Sequence, residues 1–212
     1  MSEKLERRNF LKLSTLGIGA VGLIAAGCDE SSQAQNNNTL LIDVCCDQNT
    51  IRFQGPQGPN PDNPEGDPGP HPYYGANFVV QGVIYPGGTL ANNPNGGLFA
   101  DGSPEFPNDV IGRWTCRGWF TGNSEDPARG GIFTPTGPFV TTNQVYDLDL
   151  NEPGSQMLTS DGIELIDLNT PFSRAITGGT GDRNGANGTV IQTAIGANAT
   201  FLFNFSFEFE FV

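Results

Sequence analysis

The segment NATFLFNFSFEFEFV (198–212) closes the chain, and its reading decides the fold. From Phe201 to Phe211 every second residue is phenylalanine, with Leu202, Asn204, Ser206, Glu208 and Glu210 in the gaps. A strict period of two puts the rings on one face of a β-strand and the polar side chains on the other. Rings left in water invite aggregation, so something must cover them: a packed core, a lipid bilayer or a cavity.

Upstream of that strand the same kind of pattern recurs. TLLIDVCC (39–46), TIRFQ (50–54), YYGANFVVQGVIYP (73–86) and DVIGRWTCRGWF (109–120) read as strands, as do GIFTP (131–135), FVTTNQVYDLDL (139–150) and GIELIDL (162–168). SRAITGGTG (173–181) and GTVIQTAIG (188–196) precede the phenylalanine strand. In 109–120, Trp114, Cys116 and Phe120 share one face, and Arg113, Thr115, Arg117 and Trp119 the other. About eight to ten strands, punctuated by Gly, Pro and Asn turns, predict an all-β sandwich or antiparallel barrel. The 29 glycines and 16 prolines agree, and no 3.6-residue apolar period stands out beyond Thr39. Residues 55–72, with seven prolines and four glycines, exclude helix and central strand and read as an extended loop. The single histidine, His71, lies in it and is expected to be solvated.

The other end of the chain has a different character. Arg7 and Arg8 precede a weakly apolar run, Leu13 to Gly27, which is shorter than the roughly 20 residues of a membrane-spanning helix. The pattern resembles a twin-arginine export signal, and Cys28 after LIAAG resembles the lipid-attachment cysteine of bacterial lipoproteins. The domain plan is therefore a signal over 1–27, a polar tether over 28–38 and a β-barrel domain over 39–212. The expected location is periplasmic or at the cell surface, with the membrane met through the lipid anchor.

The full chain has 10 basic and 23 acidic residues, a net charge of −13. Such a protein repels phosphate backbones, so nucleic acid is not expected as a partner. With one histidine and no nucleotide loop, the usual hydrolase and nucleotide chemistries have no foothold, and no cofactor or metal is expected. In an oxidising compartment, Cys116 can bridge to Cys45 or Cys46.

The most specific stretch is AITGGTGDRNGANGTV (175–190), which leads into the aromatic strand. It resembles the glycine-rich hairpin of the allene oxide cyclases and the dirigent proteins at Thr177, Gly178, Gly179, Gly181, Gly185, Gly188 and Val190. It departs from the dirigent pattern at Ala186-Asn187-Gly188, where those proteins carry Ala-Arg-Gly. The resemblance implies an eight-stranded antiparallel barrel, often trimeric, that holds a small apolar molecule and guides cyclisation, isomerisation or coupling without a cofactor. Lumen groups that could steer charge or a proton are Tyr73, Tyr85, Arg113, Arg117, Tyr146 and Glu164. The alternative is a non-enzymatic surface module whose barrel is filled by its own side chains.

Overall fold

The computed structural model describes residues 38–55, 57–58, 71–72, 75–122, 139–165 and 167–212. Ten strands follow in chain order: β1 (Thr39–Gln54), β2 (Gln57–Gly58), β3 (His71–Pro72), β4 (Asn77–Pro86), β5 (Gly112–Gly122), β6 (Phe139–Asp147), β7 (Met157–Leu165), β8 (Pro171–Gly179), β9 (Gly188–Ala197) and β10 (Phe203–Phe211). Eight of them close into one antiparallel barrel, in the order β1-β10-β9-β8-β7-β6-β5-β4, and β4 returns to β1. β2 and β3 form a separate two-stranded ribbon. The expected all-β, eight-stranded antiparallel barrel is what the chain forms.

Period-two alternation sorts each barrel strand into an inner and an outer face. From β10, Phe205, Phe207 and Phe209 pack inside against Ile42 and Val44 of β1, Trp114 of β5 and Tyr146 of β6. Glu208 and Glu210 face out and are exposed. The aromatic ridge therefore faces the protein's own interior, and a lipid-facing ridge is ruled out. One residue breaks the pattern: Phe201 lies before the strand, at φ 69°, and is 85% exposed.

The two short strands expected over 39–46 and 50–54 are one strand, β1, with a register shift between Asp47 and Arg52. The extra residues there bend the strand while keeping Ile51 and Phe53 on the inner side. Outside the barrel, residues 87–111 cover part of the wall. Leu90 and Leu98 bury against Cys45 and Tyr85, with Phe106 and Val110 packed alongside.

The glycine-rich segment forms the β8–β9 connection, with a 3-10 turn at Gly181–Arg183. At Gly188 φ is 137°, and a side chain would run into the Glu210 carbonyl of β10. That position needs glycine for both reasons. Gly188→Ala is expected to cost about 1–3 kcal/mol, read as a lowered melting temperature, since no rotamer choice relieves either strain.

The expected disulfide is not made: Cys45, Cys46 and Cys116 are free, buried thiols. Cys45 faces out, under residues 87–111, whereas Cys46 and Cys116 face in. β4 runs between β1 and β5, so the inner pair sit two strands apart. Two strand spacings come to about 10 Å, beyond the roughly 7 Å that a disulfide spans between Cα atoms. Arg7, Arg8, Cys28, Tyr73 and the strand expected at 131–135 lie outside the described residues.

Candidate functional site

Among the described residues, one end of the barrel interior is apolar. A cavity of about 280 Å³ lies there, lined by Ile51, Phe53, Phe78, Trp114, Phe120, Phe203 and their neighbours. Phe53, Phe78 and Phe120 form one aromatic cluster with ring centroids 5.7–6.5 Å apart, and Trp114, Phe205 and Phe203 form a second series. Strand ends bring them together: the C-terminal parts of β1 and β5 meet the N-terminal parts of β4 and β10 at the same rim. Cys46 and Cys116 add two thiols to the wall, both pushed well above the ordinary thiol range by burial. Burial of that kind keeps them protonated and unreactive.

Among the described residues, the carboxyl on the cavity lining is that of Glu164, from β7. It is 5% exposed, and behind it stands a buried polar network contributed by four consecutive strands, β6 to β9. Arg174 of β8 donates through Nη1 to Glu164 Oε2 at 3.2 Å and to Thr142 Oγ1 at 2.7 Å. The same guanidinium donates through Nη2 to the Thr142 carbonyl at 3.0 Å and through Nε to Ser160 Oγ at 3.2 Å. Gln144 donates from Nε2 to Glu164 Oε2 and to Gln192 Oε1, both at 3.0 Å. The Tyr146 hydroxyl bonds Gln144 Oε1 and lies 3.1 Å from Ser160 Oγ. Trp114 also points its indole N–H at Gln144 Oε1, at 3.4 Å.

This arrangement has two chemical consequences. Burial raises the Glu164 carboxyl above its ordinary range, while Arg174 and the hydrogen bonds of Gln192, Thr142 and Gln144 hold it down. A carboxyl so balanced takes up and releases a proton nearer to neutrality than a surface glutamate does. The second consequence is geometric. The bonds from Gln144, Arg174 and Thr142 all end on Oε2, which orients the group.

The six residues singled out in the sequence divide accordingly. Glu164 and Tyr146 both reach the lumen; Tyr146 lies beneath the cavity, its hydroxyl pushed upward in pKa by burial. Tyr85 faces out under residues 87–111, donating to the Gly97 carbonyl at 2.6 Å, and burial pushes it up to about 12. Arg113 and Arg117 are exposed on the outer wall. Tyr73 lies outside the described residues. Sequence reasoning missed Arg174, Gln144 and Gln192. The signal for Arg174 was its place between Phe172 and Ile176, at alternate positions on β8, which puts it on the inner face.

No protein-family model matches the sequence, and no curated protein matches it. Among solved structures, the chain is similar to a pterocarpan synthase dirigent protein (TM-score 0.49, 11% identity, 80% of this chain and 80% of that one). It is also similar to pyocyanin demethylase (TM-score 0.45, 16% identity, 82% of this chain and 99% of that one). These similarities concern the fold.

Proposed function

We propose that the protein is an exported, lipid-anchored barrel that binds a small apolar ligand at its apolar end, with Glu164 as the group that handles a proton on that ligand. One observation carries the reading: an apolar, aromatic-walled hollow of about 280 Å³ whose lining, among the described residues, includes one oriented carboxyl, Glu164. Apolar walls bind by burying surface, and one fixed polar group sets orientation. A reaction that only relocates a proton, such as an isomerisation or a cyclisation, needs no more than a held conformer and an acid–base group. The arginine pair Arg7–Arg8 before an apolar run, and Cys28 after LIAAG, support the exported, lipid-anchored part of this reading.

A panel of apolar metabolites, in particular conjugated and aromatic ones, tests the reading through the melting temperature. A ligand at about 100 times its Kd adds roughly 2.7 kcal/mol and raises the transition by several degrees. No shift across the panel overturns it and leaves a barrel that only fills itself. For a ligand that is turned over, Glu164→Gln keeps the shape and hydrogen bonding but removes the proton site. The rate is then expected to fall by about 10²–10⁴ with binding largely kept. An unchanged rate removes Glu164 from the chemistry.

A further inference from the structure

Outside the lumen, the chain leaving β4 folds back over the barrel wall and buries a second carboxyl. Ile42 and Val44 point into the core, so Asp43 between them points outward. Its register partners are Ser206 on β10 and Tyr85 on β4. The covering segment, residues 87–111, reaches it through the Leu90 N–H, which donates to Asp43 Oδ2 at 2.8 Å. Asp43 is left 2% exposed.

This carboxyl has hydrogen bonds but no counter-charge. Bonds from Leu90, Gly88 and Ser206 favour its ionised form, yet burial outweighs them and raises it above the ordinary aspartate range. The titratable groups on the elements packed around it are Cys45 of β1, Tyr85 of β4, Glu105 and Asp109 of the covering segment, and Glu208 of β10. None of them is a cation, and among the described residues Asp43 forms no ion pair. Glu164 in the lumen differs, with Arg174 at 3.2 Å. A buried carboxylate without a cation is the costlier arrangement, and binding one relieves it.

A cleft of about 310 Å³ lies beside Asp43, within the size range of small-molecule sites. Its lining is mixed: Leu90, Pro94 and Ile195 are apolar, whereas Asp43, Ser206 and Asn169 are polar. Asn169 is fixed there in the left-handed region, at φ 59°, with its backbone N–H on the Ala194 carbonyl at 2.8 Å. We propose that this outer-wall cleft binds a primary ammonium group on a short apolar chain, with Asp43 as its counter-charge. The oxygens of Ser206 and Asn169 are further acceptors for its N–H groups, and the apolar residues cover the chain. A calcium-like ion fits worse, because it takes six or more oxygens and the lining offers one carboxyl among aliphatic side chains. The net charge of −13 draws cations to the molecule. Asp43 lies on the opposite face of β1 from the lumen, so this proposal and the ligand reading fail separately.

Calorimetric titration of the full chain with n-butylamine tests it, with butan-1-ol and potassium chloride as controls. The amine stays protonated up to about pH 8, whereas Asp43 does not, so proton and amine compete for the carboxylate. Affinity is expected to fall about tenfold per pH unit below the folded value of Asp43 and to level off above it. Asp43→Asn keeps an oxygen for the Leu90 N–H and removes the charge. It is expected to abolish amine binding while the melting temperature at neutral pH stays the same or rises. Ala91→Trp, at an exposed position on the lining, is expected to block binding with Asp43 intact. No saturable heat with the amine, an equal response to potassium ion or butan-1-ol, or binding that survives Asp43→Asn overturns the proposal. Equal affinity at about pH 4 and about pH 8 overturns it as well. A lumen ligand's melting shift is expected to persist in Asp43→Asn whichever way the amine behaves.

Discussion

Arg174→Leu is expected to destabilise the barrel by about 3–5 kcal/mol near neutral pH, because it leaves Glu164 as an uncompensated charge in the lumen. The arginine side chain is fully buried, and its guanidinium bonds Glu164, Thr142 and Ser160 at once. The pH dependence distinguishes this cause from lost packing. Burial raises the Glu164 carboxyl on folding, so its contribution to stability is full below the ordinary carboxyl range and is lost as pH rises through the folded value. Removing Arg174 takes away the main influence holding that value down. It climbs further, and the variant loses most at neutral pH and least near about pH 3, where the acid is almost wholly neutral in both states. Denaturant titrations of wild type and variant at the two pH values check this. Adding Glu164→Gln to Arg174→Leu is expected to recover part of the loss at neutral pH. Equal losses at both pH values would assign Arg174 a steric role instead.

That network also marks where sequence reading stopped. Which side chains share a face was legible, because it follows from period two. Trp114 and Cys116 on one face and Arg113 and Arg117 on the other follow from one strand alone, whereas which face is inner does not, and the two arginines expected in the lumen lie on the outer wall. Which inward side chains meet was not, because that depends on strand order and on closure. Glu164, Arg174, Gln144 and Gln192 come from four strands, and only the barrel's registers bring them within hydrogen-bonding distance. The cysteines failed for the same reason. Alternation correctly places Cys45 and Cys46 on opposite faces, yet nothing local says that β4 separates Cys46 from Cys116. Tyr85 misled because the inner and outer faces are both buried there, the outer one by residues 87–111, and an aromatic on such a strand carries no sign of which side it takes.

The phenylalanine row yields the second large effect, since its members look alike in sequence and differ in burial. Phe207 is fully buried, edge-on to Tyr146 with centroids 5.2 Å apart, and flanked by Phe205 and Phe209. Phe207→Ala removes the ring from the middle of a closed interior that cannot collapse around the gap without breaking strand pairing. A loss of about 3–5 kcal/mol is expected, measured by denaturant unfolding. Phe201, six residues earlier, sits at φ 69° before the strand begins. A bulky side chain is disfavoured there by roughly 1–2 kcal/mol relative to glycine, and its ring buries little to offset that. Phe201→Gly is therefore expected to be neutral or to stabilise by up to about 1 kcal/mol, even though it deletes more atoms than Phe207→Ala. The opposite ranking would mean that the alternation runs in register through Phe201 and that the strand starts earlier than Phe203. A loss of ligand binding in Phe201→Gly, with stability unchanged, would instead assign the exposed ring to the rim of the cavity, beside Leu202 and Phe203.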